Sequence, residues 1–433
     1  LRGKIELQKG KRLNKLERID LFDLKSGFFF FASLLVVASL SLLYEYLQYR
    51  DFHRFDDPLV KARVVSQEFR LINDIPKMAL KLELETGATA RVALRSDLME
   101  LRGRDILIEL WVKNLTFWEY LKGFNVYRAS IYEVYEGESL KESWYKTIAL
   151  AHDDFTMQEL YGALFVATPM SHDFQVLVGA MGLSHILSIS GYHFGILSMI
   201  AYFLLRPPYR WFHNRYFPAR HGNRDLFLVI LALLFGYLWA LEFIPPMVRS
   251  FGMIVVGYWL YDRGVKIFSF QTLFVTLGLL LAFFSTLFFS LGFWFSSFGV
   301  LSIFIFVRYY EHWKAWQIFL ALHIWCYLVM LPISIAIFGT FGWWHIGSII
   351  LALLFNLYYP AVLALHFTPW GDVFDPYLLT LFQWGDVNGV VVPMWMGYMS
   401  VVLAFLAMKW KWAFWSLGVL GLVTLGACVY QIA

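Results

Sequence analysis

The chain has 433 residues, of which 59% are hydrophobic and only 16% charged, with a mean hydropathy of +0.58. Soluble domains run nearer a quarter charged, so water is not the solvent for most of this surface. The net charge of +4 is too small to imply nucleic acid by itself, and two cysteines inside apolar runs, Cys326 and Cys428, argue against a disulfide scaffold.

Residues 1–27, LRGKIELQKGKRLNKLERIDLFDLKSG, are rich in Lys and Arg, and the positive-inside rule makes them a cytoplasmic N-terminal segment. Residues 28–47, FFFFASLLVVASLSLLYEYL, are long enough to span. They lack a small-residue cleavage pattern and read as a transmembrane anchor rather than a signal peptide. Residues 58–137 change period. VKARVVS, ALKLELE, ATARVAL, ILIELWV and FNVYRASIYEV alternate as strands do, with Gly87 and Gly103 where turns need them. Five short strands predict a small periplasmic β-domain, for which an OB-like barrel is one candidate. Residues 141–182 predict interfacial helices, with Asp154 as an N-cap; Met157 stands where a capping box needs an acid.

From 183 to 431 long apolar runs repeat, at 183–205, 226–243, 246–261, 268–288, 291–307, 317–338, 344–365, 390–408 and 412–431. With the anchor, the expected fold is a polytopic α-helical membrane protein of about ten transmembrane helices carrying a small extramembrane OB-like β-domain. The Arg-dense loop 206–224, DRGVK (262–266) and RYYEHWK (308–314) fall together on the cytoplasmic side of that count, and KWK (409–411) falls outside.

Three stretches put polar groups into these runs, where they are expensive. In GLSHILSISGYHFGILSMI (182–200), Gly191 and Gly195 give a small-xxx-small face, and Ser190 and His193 either line a path or make an interhelical hydrogen bond. In LEFIPPMVRSFGM (241–253), Pro245 and Pro246 interrupt the helix. Arg249 there either pairs with Glu242 or snorkels to the interface. In IGSIILALLFNLYYPAV (346–362), Asn356 must find a partner, and Pro360 four residues on is where a broken helix would bare carbonyls. HExxH, GxSxG and GxxxxGK[ST] do not occur, and His221, His312, His323, His345 and His366 have no metal-like spacing. The residues therefore encode no cofactor site and no ATP-driven pump, and any directional transport draws on a partner or a gradient.

GLSHILSISGYHFGIL resembles the signature of the ComEC family of competence membrane proteins, usually close to GLSHLLAISGLHVGLL. PPMVRS (245–250) is similar to the family's PSVVRA, with Pro246 and Arg249 matching and Ser250 in place of Ala. LGFWFSSFGVLSIFIF (291–306) resembles its LSFQLSFLAVLGLL without the usual Gln, and Asn356 with Pro360 fits its Asn-before-Pro stretch. The matches run in the expected order over 183–365, and an N-terminal OB-like domain carries the resemblance back to about 58.

The resemblance implies a bacterial inner-membrane channel passing single-stranded DNA into the cytoplasm during natural transformation. Its partners would be a periplasmic DNA-binding receptor protein, a cytoplasmic DNA-translocating ATPase or single-strand-binding protein, and the lipid bilayer. Ser190, Gly191, His193, Pro246, Arg249 and Asn356 would line the path. Many members carry a C-terminal metallo-β-lactamase-like domain; this chain, without an HxHxDH motif, is expected to be a short form and not an enzyme. The rivals are a secondary transporter of another solute, a non-conducting scaffold of the uptake machinery, and an intramembrane hydrolase using Ser190 and His193, which lack an obvious orienting acid. On the predicted topology, an impermeant thiol reagent added outside modifies Thr89→Cys and not Asn214→Cys; the reverse pattern overturns the orientation.

Overall fold

The computed structural model describes residues 24–72, 75–95, 99–135, 137, 139–187, 191–217, 219–262 and 269–433. For Leu24, Lys25, Ser26, Ile72, Pro245, Pro246, Arg249 and Tyr261 only the backbone is described. Most of the basic segment 1–27 therefore lies outside the described residues, as does Ser190.

The anchor is a helix, α1 (Leu24–Phe52), and it runs straight into the β-domain. That domain comprises β1 (Leu59–Ile72), β2 (Ile75–Leu84), β3 (Thr89–Arg95), β4 (Asp105–Leu110), the short helix α2 (Phe117–Lys122), β5 (Phe124–Val126) and β6 (Ala129–Val134). The alternation seen in the sequence is the inside–outside alternation of the sheet: Ile106, Ile108 and Leu110 of β4 point inward with Val64, Leu80 and Leu82. Gly87 and Gly103 sit in the turns at φ 81° and 79°, where a Cβ would be strained.

The last expected strand is split at Tyr127 and Arg128, and the split has a topological cause. The strand order is β5-β3-β2-β1-β4-β6, with β5 parallel to β3 and β6 antiparallel to β4. A run of eleven residues, Phe124 to Val134, thus joins both ends of the sheet and curls it into an OB-like half-barrel.

The helical part begins with α3 (Leu140–Ala149), α4 (Phe155–Val166), α5 (His172–Ala180) and the single turn α6 (Ser184–Leu187). Asp154 caps α4 through Thr156 N–H, as its position predicts. Helix α4 is buried from Leu160 through Val166. Then come α7 (Gly191–Tyr216), α8 (Gly222–Ala240), α9 (Pro245–Asp262), α10 (Phe270–Phe283), α11 (Leu291–Tyr310), α12 (Ala315–Phe338), β7 (Thr340–Phe341), α13 (Trp344–Leu365), α14 (Asp375–Gln383), β8 (Asn388–Gly389), α15 (Met394–Ala407) and α16 (Lys411–Ile432). Of the helical part's apolar cores, the two largest gather α4 through α9 with α13 and α14, and α10 through α12 with α15 and α16.

The expected count of about ten crossings is not met. Among the described residues six helices are long and apolar enough to span: Gly27–Phe52 within α1, then α8, α11, α12, α13 and α16. The rest fail on length or composition. Helices α10 and α15 have 14 residues each, about 21 Å at 1.5 Å per residue, against a hydrocarbon core of about 30 Å. The run 268–288 stops being α-helix at Phe283, where a 3₁₀ turn, Ser285–Phe289, intervenes. The run 183–205 is helical at Ser184–Leu187 and from Gly191 on, with 188–190 outside the described residues, and α7 extends past its apolar part into Arg206, Pro207, Pro208 and Arg210. Most of the predicted Arg-dense loop 206–224 is therefore helix, up to Tyr216.

The prolines at 245 and 246 start α9, where the first turn has no intrahelical use for their N–H groups. The turn before them places Glu242 and Phe243 at φ 63° and 55°. Glu242 pairs with Arg63 of β1, which also holds Asp105 at 2.8 Å, so this joint is tied to the β-domain. The choice between pairing of Arg249 with Glu242 and snorkelling of Arg249 falls on a side chain outside the described residues. Pro360 does not break α13, which runs through it.

Helices α12 and α16 meet at a glycine. A Cβ on Gly421 would collide with the carbonyl of Leu328, whereas one on Gly426 would meet nothing within 4 Å. Overpacking of this kind costs about 1–3 kcal/mol. Gly421→Ala is expected to lower the melting temperature in detergent and Gly426→Ala to leave it unchanged; equal melting temperatures would contradict the packing.

Candidate functional site

Polar residues singled out in two of the three stretches, His193 and Asn356, come together where α7 meets α13, and Ser250 of the third stretch faces Gly191 from α9. Helix α7 opens at Gly191, and a Cβ there would lie 3.4 Å from Ser250 Oγ on α9. That is ordinary van der Waals contact, so Gly191 faces α9 without the approach depending on its missing side chain, and Gly195 meets nothing within 4 Å; the expected small-xxx-small face is not a close-packed seam at either position.

One residue on, Tyr192 donates its phenol O–H to Asn356 Oδ1 on α13. Asn356 turns its amide back onto its own helix, donating to the carbonyls of Ala352 at 3.1 Å and Leu353 at 3.2 Å. Both ends of the half-buried amide are thus satisfied within protein. His193 is 1% exposed. Its ring stands edge-on to Tyr359 at 4.9 Å and Phe355 at 5.6 Å. Pro360 has no N–H to return to the carbonyl of Asn356, so that oxygen loses its usual i+4 donor.

Of the six path residues expected from the sequence, the structure brings Gly191, His193 and Asn356 to this one seam. Pro246 and Arg249 belong to α9, whose Ser250 touches the seam, but their side chains are not described; Ser190 lies outside the described residues. The nucleophile of the hydrolase reading, Ser190, is thus not described, and the His193 ring contacts Tyr192, Phe355 and Tyr359. Sequence reasoning missed Tyr192, Phe355 and Tyr359. A signal existed for Tyr192, an amphipathic ring set between Gly191 and His193.

Two clefts lie away from the seam. One, about 320 Å³, is lined by Arg206, Arg210, His213 and Asn223 at the α7–α8 turn. The other, about 470 Å³, separates β1 from α4 and α5 and is edged by Arg70, Arg102, Glu159 and Asp173. Charge is also concentrated under the β-domain. Burial pushes the Lys141 ammonium below its ordinary pKa and the Glu83 carboxyl above its own, while nearby Glu242 favours the charged lysine. No group of three or more His, Cys, Asp or Glu among the described residues is arranged to hold a metal ion.

A family model described as "Competence protein" matches residues 167–432, which takes in the whole seam and more than half of the chain. No curated protein and no solved structure matches. The β-domain precedes the matched region. Six membrane-length helices and this match lead to one conclusion: the chain is a multi-pass membrane protein that belongs to the competence protein family.

Proposed function

We propose that this protein is an inner-membrane channel that passes single-stranded DNA into the cytoplasm during natural transformation. The observation that carries the reading is the convergence of three sequence stretches on one polar seam between α7, α9 and α13, within the region matched to the competence family. The reading keeps the N-terminus in the cytoplasm and the β-domain in the periplasm. The β-domain would receive the strand from a periplasmic DNA-binding receptor protein. A cytoplasmic DNA-translocating ATPase or single-strand-binding protein would take it up at the basic α7–α8 end.

Ser190, Gly191, His193, Pro246, Arg249 and Asn356 are the proposed lining of the path. Phosphates need screening along a wet route, and Arg249 is the cation best placed in sequence to supply it. Imidazole donates or accepts whether charged or neutral. The Asn356 carbonyl, relieved of its helical donor by Pro360, adds an acceptor for water. The seam is closed as described, with His193 shielded, so conduction requires α7 and α13 to part. A narrow seam of this kind also favours the second reading, a secondary transporter of a small solute.

Labelled DNA presented to cells lacking the gene should accumulate in the periplasm, and the wild-type gene should restore its arrival in the cytoplasm. His193→Ala and Arg249→Ala should each be as abundant in the membrane as wild type and as stable in detergent. Each should pass about tenfold less DNA or worse, the loss that follows when some 1.4 kcal/mol of interaction is removed. Normal arrival in both variants would sink the channel reading. Loss only in proportion to lost protein would return both residues to a packing role.

A further inference from the structure

A second polar cluster lies at the far end of α13, built from residues that no motif singled out. His152, in the turn between α3 and α4, has a fully buried side chain. Its Nδ1 is 2.7 Å from Oδ2 of Asp375, at the start of α14, and its Nε2 is 3.1 Å from Nε2 of His366, at the end of α13. The Nδ1 of His366 is 2.8 Å from the Val362 carbonyl. Tyr161 of α4 stacks on His152 at 4.2 Å and also contacts the His366 ring at 4.7 Å, and Tyr358 donates to the Tyr161 phenol at 3.1 Å.

The hydrogen-bond directions can be assigned in order. A carbonyl only accepts, so His366 Nδ1 carries its hydrogen and its neutral ring offers a lone pair at Nε2. His152 Nε2 must then carry a hydrogen to donate to it. That leaves His152 Nδ1 facing a carboxyl oxygen at 2.7 Å, a distance that needs a proton between them. Either the Asp375 carboxyl is protonated and donates, or the imidazole is protonated and donates to a carboxylate. Both forms are one proton richer than a neutral histidine beside an ionised aspartate. Removing that proton sets two lone pairs against each other, at Asp375 or at His366. The only escape is for His366 to move its hydrogen to Nε2 and abandon Val362.

We propose that His152, His366 and Asp375 form a buried site whose ligand is a single proton, and that this proton fastens the end of α13 to the α3–α4 turn and to α14. Loading takes the proton from water onto the His152–Asp375 pair, and unloading returns it to water; nothing else changes hands. Of the titratable groups that face the Asp375 carboxyl, Asp372 favours the loaded state, whereas His152 and the Tyr161 phenol, which is also hydrogen-bonded to Asp375, oppose it. Burial, and then Asp372, push the Asp375 carboxyl above its ordinary range, against the opposing pull of His152, while burial holds His366 toward its neutral form. Because α13 also carries Asn356 and Tyr359, unloading the proton frees the helix that closes the seam. This gives the protein a means of responding to proton concentration, independent of whether DNA is the solute that crosses.

The Asp375 carboxyl keeps its proton to higher pH in the folded state than in the unfolded chain, so its contribution to stability is present at low pH and is lost as pH rises through the folded value, while His366, held neutral by burial, contributes in the opposite sense and costs stability as pH falls below the ordinary imidazole range. One proton changes the folding equilibrium by at most tenfold per pH unit. The test uses Asp375→Asn, whose amide donates permanently to His152 Nδ1 as the loaded site does. In the full-length purified protein, wild type should lose thermal stability with rising pH and release one more proton than the variant in an unbuffered alkaline titration. Asp375→Asn should fold and lack that pH dependence, and Asp375→Ala should be destabilised at every pH. An Asn variant that fails to fold, or one with the same slope and proton count as wild type, overturns the proposal. No DNA is present, so this outcome is separate from the fate of the channel reading.

Discussion

A polar side chain on an apolar helix has to be met by another part of the protein, because lipid offers it nothing. That requirement organises the helical half of this molecule. Asn356 fixes the facing of α13, since its amide must reach Tyr192 on α7 while its other end folds back on Ala352 and Leu353. His193 is drawn into the same contact and shielded by Phe355 and Tyr359. Gly191 faces Ser250 of α9 on the third side. Removing Tyr192 or Asn356 leaves a polar atom of the other without its partner, at about 1–3 kcal/mol. A seam held this way is a few discrete contacts rather than a greasy interface, which is the kind of joint that can open and reclose.

The β-domain is fastened to the same machinery. Arg63 of β1 pairs with Glu242 in the turn that separates α8 from α9, and that turn puts two non-glycine residues at positive φ. Backbone held there costs energy unless its surroundings enforce it. The ion pair and the prolines that follow are such an enforcement. A displacement of the β-domain therefore reaches the start of α9 directly, one helix turn from the residue that touches Gly191.

The alternation in 58–137 was readable because side-chain period 2 is written locally. The division of 124–134 into two strands was not, because it follows from which neighbours the strand pairs with, β3 first and β4 after. Apolar runs overstated the crossings for a related reason. Hydropathy reports where apolar residues are, not where helix ends: the run 268–288 leaves the α-helix at Phe283 for a 3₁₀ turn, and Ser290, accepting from Phe293 N–H, caps the start of α11. At the site, Gly191, His193 and Asn356 stood out as polar or small residues in apolar surroundings. The His152–Asp375 contact joins residues 223 apart in the chain and gives no local pattern at all.

The central claim is that α7 and α13 must separate for the protein to act. Tyr192→Cys and Phe355→Cys, whose native rings lie 6.0 Å apart, introduced together with Cys326→Ala and Cys428→Ala, place one thiol on each side of the seam and leave Asn356 in place. A short thiol-reactive linker that can later be cleaved by reductant would hold the two helices together. The account predicts that linking stops labelled DNA from reaching the cytoplasm, leaves its binding at the cell surface intact, and is reversed on cleavage. Undiminished arrival of DNA through fully linked protein would contradict it.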